Sequence, residues 1–487
     1  MKKKQLISGL LLAAIMLGTF SCGGETPAAD TETAPVTTAA ETVLETAPDT
    51  SAEALFTPAL KEELGLDGYE FNVFLRQQSS KWSNRDLYSD GQDGEILNDA
   101  VYKRNLHLEE TYGYKINVQY SVDATAAELS SVIISDDDIY DAAFPMGRSA
   151  ATMALEGGLE DLNEVSYLNL DSDVWSRMFN SKLSYNGRLY YAAGDISINS
   201  FESQYVMMFN KTLAETYMLD DPYQLVRDGK WTLDVYGKMC AAVADDLNGD
   251  SKMNVFDQWG LSAITNTNAI IFYYGTGEML SDLGDDGIPE LTLGNDRSLQ
   301  AADAVAKLFE GAGTTLYVGE IANAQKIFEE GRALFYSEVM YQTVLLRSSE
   351  VEFGVLPLPM LDEEQSQYFV YQNSWCISPV VIPKSASNAE RSGFVLQTIA
   401  EASHDYVRPA YYDTVLIGKN LRDDESAEML DIIYNSFSLD PADIYQWSGG
   451  DVPFNNALLR GNLASYAASQ KSRLESAIEK TTAAFNK

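Results

Sequence analysis

Tyr69, Phe71, Val73 and Leu75 alternate with Glu70, Asn72 and Phe74, the period of a strand with two distinct faces, and a polar stretch from Gln77 to Gly94 follows. The pattern predicts a first strand and a long loop. Val101, Asn105, Leu108 and Tyr112 then recur at helical spacing, and Gly113 suits the left-handed residue that ends a helix. Tyr114, Ile116, Val118 and Tyr120 alternate again, so strand, helix and strand come in the order of a βαβ unit with a parallel sheet. A third strand is expected at 139–144, closed by Pro145. Helices are expected at 150–156, 213–217, 233–243, 299–309 and 389–402, with strand-like runs at 189–192, 206–209, 353–356 and 375–381. The fold class is α/β, and no internal repeat is visible.

Ahead of this body the pattern changes. Lys2, Lys3 and Lys4 precede an apolar run, residues 6–20, that is too short for an ordinary membrane span and reads as a secretory signal. The run ends Thr19-Phe20-Ser21-Cys22-Gly23-Gly24, which resembles a bacterial lipobox with Thr19 where Leu is favoured. Residues 1–21 are therefore expected to be removed and Cys22 to be lipidated. From Glu25 to Pro58 the chain is mostly Thr, Ala, Glu and Pro, and no Lys or Arg occurs between Lys4 and Lys61. Self-repelling acids and stiff prolines predict an extended tether over 22–63, with structure beginning near Leu64.

Composition narrows the function. The 487 residues are 45% hydrophobic and 11% aromatic, enough to bury a core and to fill two large lobes. Lys and Arg number 34 against 72 Asp and Glu, a formal charge of −38, and loss of the three signal lysines makes the exported chain more acidic still. A phosphate backbone is a poor partner for such a chain, so nucleic-acid binding is excluded. His107 and His404 are the only histidines, which starves His-rich zinc sites and Ser-His-Asp chemistry. Cys22, Cys240 and Cys376 make no CxxC pair, and the latter two read as buried thiols.

Asp246, Asn248, Asp250, Asn254 and Asp257, with the carbonyl of Lys252, occupy the positions from which a calcium loop of EF-hand type draws its oxygens. Ser251 stands where glycine normally turns the loop, and Asp257 is one carbon shorter than the usual Glu. Calcium here would be structural; an acidic turn without metal is the other reading. No GxGxxG follows a strand and no GxxxxGK[ST] occurs. Adjacent carboxylate pairs abound, but in so acidic a chain they read as solvated turns. Trp231 precedes Thr232, a good N-cap, and can pack on Tyr236, so it reads as structural, as does Trp259. Trp82, Trp375 and Trp447 are the candidate platforms for a ligand; Trp375 could equally be core, since Cys376, Ile377 and the run 380–382 are apolar.

Taken in order, several segments resemble the family 1 extracellular solute-binding lipoproteins of bacterial ABC importers, whose characterised members mostly take up sugars. Gly187-Arg188-Leu189-Tyr190-Tyr191-Ala192 with Met208-Phe209-Asn210-Lys211 is similar to that family's crossing segment. Asp221-Pro222-Tyr223 and Gly229-Lys230-Trp231-Thr232-Leu233-Asp234 are similar to its "P-x-TW-x-E" helix start. Phe328-Glu329-Glu330-Gly331-Arg332-Ala333-Leu334-Phe335, Phe353-Gly354-Val355-Leu356-Pro357-Leu358-Pro359 and Ile382-Pro383-Lys384 complete the order. The resemblance implies a type II periplasmic-binding-protein clamshell: lobe one from 64–195 and 370–420, lobe two from 200–365 and 421–487. It implies a monomer, lipid-anchored at the outer face of the cytoplasmic membrane, that hands a carbohydrate to ABC importer membrane subunits and catalyses nothing. The chain would cross back between lobes near Trp375. An indole there could stack on a sugar while Asn373, Arg76, Ser79 and Ser80 bond its hydroxyls, with Trp82 and Trp447 closing the other side. A secreted carbohydrate-active enzyme and a surface adhesion or scaffold protein remain the competing readings.

Overall fold

The structure is a computed structural model that describes residues 51–77, 80–122, 126–264, 268–310, 314–318, 321–416 and 424–486. The signal-like run, Cys22 and Ser79 lie outside the described residues.

The strands β1 (Glu70–Leu75), β2 (Lys115–Tyr120) and β3 (Ala142–Phe144) form a sheet in the order β2-β1-β3, with β1 parallel to both neighbours. The helix Ile96–Tyr112 makes the crossover and ends at Gly113, whose φ of 94° suits a residue without a Cβ. The expected βαβ unit is present. The third strand is shorter than expected, starting at Ala142. Just before it Asp141 bonds to β1 and its approach: its N–H donates to the Asn72 carbonyl at 2.9 Å, and its carboxylate accepts the Tyr69 hydroxyl at 2.6 Å and the Asn72 N–H at 2.8 Å. The helix Ala389–Leu416 packs against Ile96–Tyr112 and covers the lobe.

Order begins before Leu64. Ser51 and Thr57 cap the short helices Ala52–Leu55 and Pro58–Glu63, the second with proline in its first turn. Phe56 stacks on Phe394 at 5.9 Å and meets Tyr112 edge-on at 4.8 Å. The Ala52 N–H donates to the Glu401 carboxylate at 3.1 Å. A few apolar residues in a polar stretch suffice to attach it to the body, so the tether expected over 22–63 does not extend to its end.

Beyond residue 200 come β4 (Tyr205–Asn210), β5 (Trp259–Ile264), the hairpin of β6 (Ser281–Leu283) and β7 (Pro289–Leu291), then β8 (Thr315–Val318), β9 (Ala333–Val339) and β10 (Phe353–Leu356). Five of these form a mixed sheet in the order β10-β4-β9-β5-β8. Every residue of β4 and β9 is buried; β4 matches the run expected at 206–209, while β9, with no alternation to mark it, is not among the expected strands. The helix Leu233–Val243 starts as expected at Thr232, whose hydroxyl accepts the Val235 N–H. Trp231 lies edge-on to Tyr236 at 6.0 Å and donates its indole N–H to the Pro357 carbonyl at 3.0 Å, a structural role.

Segments 192–204 and 370–381 pass between the two lobes side by side, paired at Ala192 with Val380 and at Gln204 with Gln372. The second includes β11 (Val370–Tyr371), which pairs in parallel with β12 (Phe437–Ser438). The runs expected as strands at 189–192 and 375–381 are not continuous strands. The chain turns at Asn373, whose carbonyl accepts the Cys376 N–H at 3.0 Å, and then pairs one residue at a time with different partners, Ala192 and Ala143 among them.

Candidate functional site

Two arginines stand just beyond the carboxyl ends of parallel strands, the place where open α/β sheets gather ligands: Arg76 follows β1 and Arg148 lies shortly after β3. Arg76 is 3% exposed. Its Nη1 donates to the Trp375 carbonyl at 2.8 Å, and its Nε is buried without a partner. Burial pulls its pKa down to about 10. Arg148 is differently placed. Its Nε donates to the Ser374 hydroxyl at 2.8 Å, and its Nη2 pairs with Asp443 at 3.1 Å and Asp451 at 3.3 Å. Burial opposes that guanidinium's charge, but the two carboxylates hold its proton more firmly than usual. Gly147 lets the segments approach: its N–H donates to the Ile377 carbonyl at 2.9 Å, and a Cβ there would stand 2.9 Å from the Ser374 carbonyl oxygen.

Between the two guanidinium groups lies Trp375, 46% exposed, its ring centroid 6.0 Å from Arg76 and 5.9 Å from Arg148. Asn373 holds it there: the carboxamide oxygen accepts the Trp375 N–H at 2.7 Å while the amide donates to the Tyr371 hydroxyl at 3.1 Å. Asn373 is itself buried, so it positions the indole and does not face outward. Cys376 turns the opposite way, into the core, and burial pushes its thiol up. Cys240 is buried too, as expected.

The loop after β1 reaches the second lobe. Ser80, Lys81, Arg85 and Tyr120 from one side and Tyr341 from the other line a cavity of about 750 Å³. Trp82 is only 8% exposed, with the Lys81 ammonium 4.5 Å over its ring and Tyr341 tilted against it at 6.3 Å. It is packing between the lobes and not an open platform, because the loop that carries it folds inward. Asn84 and Asp86 anchor that loop: Asp86 accepts the Ile198 N–H at 2.7 Å and the Ser197 hydroxyl at 2.9 Å. Arg85 pairs with buried Glu202, whose pKa burial pushes up to about 7 against the pull of Arg85.

Trp447 is elsewhere. It is 4% exposed, stacked on Tyr445 at 5.6 Å, with its indole N–H donated to the Thr481 hydroxyl at 3.0 Å. The helix Leu463–Phe485 covers it, and no local pattern around Trp447 announced a helix so far along the chain. Arg148, Tyr341, Asp443 and Asp451 went unnoticed in the sequence. The signal for Arg148 was available in a basic residue shortly after a predicted parallel strand; the two acids had none, being two among many.

In the loop 246–257 the oxygens are engaged by backbone. Asp246 accepts the Gly249 and Ser251 N–H groups at 2.8 and 2.6 Å, and buried Asp257 accepts those of Leu247 and Asn254 at 3.1 and 2.7 Å. Asn248 and Asp250 cap the Asp250 and Lys252 N–H groups, while the Lys252 carbonyl accepts from the Asn254 amide. Ser251 takes the left-handed turn at φ 64°, a conformation favouring glycine. Trp259 closes the loop through its indole N–H to the Asn254 carbonyl at 2.9 Å. Among the described residues no three His, Cys, Asp or Glu side chains converge as a metal-holding group. In this arrangement the loop is closed by its own hydrogen bonds.

No known family profile matches the chain, and no curated protein resembles it in sequence. Its architecture does match solved structures of two-lobed binding proteins. The ABC substrate-binding protein Lmo0181 from Listeria monocytogenes, in complex with cycloalternan, is 14% identical with a TM-score of 0.53, over 84% of this chain and 99% of that one. The maltose/maltodextrin-binding domain MalE from Bdellovibrio bacteriovorus, bound to maltotriose, is 14% identical with a TM-score of 0.52, over 84% and 100%. UgpB from Mycobacterium tuberculosis, in complex with glycerophosphocholine, is 16% identical with a TM-score of 0.54, over 85% and 98%. The chain thus has the two-lobed periplasmic-binding-protein fold expected from its sequence.

Proposed function

We propose that this protein captures a sugar or oligosaccharide between its lobes and delivers it to an ABC importer, binding without catalysis. The observation that carries the reading is the half-exposed indole of Trp375, held by Asn373 at the lobe crossing between Arg76 and Arg148. An indole face suits the apolar face of a pyranose, and the surrounding polar groups suit its hydroxyls. The fold shared with structures holding cycloalternan and maltotriose supports it.

The proposal includes export by the signal-like residues 1–21, lipid anchorage through Cys22 at the outer face of the cytoplasmic membrane, and a monomeric working state. Among the described residues no helix is long and apolar enough to cross a membrane. Calcium in the loop 246–257 is also proposed, on the order of its oxygen side chains; each carboxylate oxygen keeps a second lone pair beside the N–H it accepts. Mass spectrometry of the small molecule that co-purifies with the exported protein, followed by titration calorimetry with it, tests the function. A co-purified saccharide that binds stoichiometrically is expected; hydrolysis of that saccharide by the protein would sink the reading.

A further inference from the structure

The crossing between the lobes holds a cation with no carboxylate partner among the described residues. Arg76 is almost wholly buried, yet of its five N–H donors one meets the Trp375 carbonyl, and the buried Nε meets nothing. Among the described residues no carboxylate pairs with it. The neighbouring arginines are treated otherwise: Arg148 has Asp443 and Asp451, and Arg85 has Glu202. Lys81, on the same loop as Arg76, lies over the Trp82 ring and likewise makes no ion pair among the described residues. With 72 acidic residues the chain had no shortage of counter-ions, so their absence at Arg76 is local.

Burying a charge without a partner is costly, and a buried guanidinium is ordinarily paired. A planar fork of N–H groups fits a carboxylate or sulfate through two parallel bonds, whereas a sugar hydroxyl can occupy a donor but cannot neutralise it. The indole that would carry the sugar ring is 6.0 Å from this same guanidinium. We infer that the ligand is an acidic saccharide, whose pyranose ring lies on Trp375 and whose anionic group, a carboxylate or a sulfate ester, is taken by Arg76. The inference rests on the proposed saccharide function and names its substrate class. The chain's overall negative charge does not forbid it, since salt screens repulsion beyond about 8 Å at physiological ionic strength while a buried pair is screened far less.

The test is calorimetric titration of the full exported chain, freed of co-purified ligand, with two sets of probes. The acidic set is trigalacturonate, a guluronate trimer and a sulfated chondroitin disaccharide; the neutral set is maltotriose, cellotriose and xylotriose. Binding confined to the acidic set, or at least ten-fold tighter there, is expected, and comparison of carboxylated with sulfated probes identifies the anion. Raising the salt from about 0.05 to 0.5 M should weaken that binding. Arg76→Gln should lower the affinity ten-fold or more and remove the salt dependence, with Arg76→Lys recovering part of both. A purely structural Arg76 would instead lower the melting temperature and leave the preference for acidic probes as it was, which would overturn the assignment. Binding of neutral probes alone would overturn the acidic ligand and leave saccharide capture standing. Binding of neither set would overturn both.

Discussion

Asn199 is bonded to Ser378 across the two segments that join the lobes: its carboxamide oxygen accepts the Ser378 N–H at 2.6 Å. Its amide donates to the carbonyls of Trp82 and Cys376, both at 3.3 Å, so one buried side chain ties together the loop after β1 and both crossings. Asn199→Ala leaves the buried Ser378 N–H and Cys376 carbonyl without this partner, while the Trp82 carbonyl keeps the Ser378 hydroxyl at 3.3 Å, at a cost of about 1–3 kcal/mol. A fall of several degrees in melting temperature is expected by calorimetry. An unchanged melt would mean that water replaces the carboxamide.

Trp375→Ala should weaken a bound saccharide about ten-fold, as loss of an aromatic anchor does. Because the indole is half exposed, the fold should lose little, within about 0.5 kcal/mol. Titration and thermal melting of the same preparation separate the two effects; unfolding of the variant would return Trp375 to the core.

His404 Nδ1 lies 2.5 Å from the Asp195 carboxylate, which also takes Arg408 at 3.3 Å and the Tyr434 hydroxyl. The bond to Asp195 raises the pKa of His404, outweighing its partial burial and the opposing charge of Arg408. A group whose pKa is raised by folding stabilises the native state fully below its unfolded value, near 6.5, and loses that contribution as pH rises through the folded value. The difference in melting temperature between the parent and His404→Gln should therefore be larger at about pH 6 than at about pH 9. Equal differences at both would show that the ring contributes by contact and not by charge.

Chelation should lower the melting temperature if calcium occupies the loop 246–257. Calcium at about 100 times its Kd would add roughly 2.7 kcal/mol to stability. Asp250→Ala, which removes a side chain that otherwise caps only the Lys252 N–H, should abolish the sensitivity to chelator. A melt indifferent to chelator, with no metal by elemental analysis, would leave the loop closed by its hydrogen bonds alone.

Cys22→Ser should move the protein from the membrane fraction into the soluble extracytoplasmic fraction. Retention at the membrane would remove the lipid anchor from the proposal.

By itself the sequence determined the βαβ start of the first lobe, the capped helix at Leu233, the structural role of Trp231 and the two-lobed class. These are short-range matters: hydrophobic period, caps and turn residues act between neighbours along the chain, and the ordered segments of the resemblance did the rest. Only the tertiary structure decided β9, where alternation vanishes because there is no solvent side, although β4 and β10, buried as fully, were legible as short apolar runs. It also sorted the three candidate tryptophans. Trp375 is exposed, Trp82 is packed between lobes and Trp447 is covered by the last helix, a distinction set by contacts more than 30 residues away for Trp447 and some 300 for Trp375. That Arg76 has no carboxylate partner among the described residues belongs to the same class of fact. A sequence shows which charges a chain carries, but whether one of them has a partner depends on which distant segments fold against it.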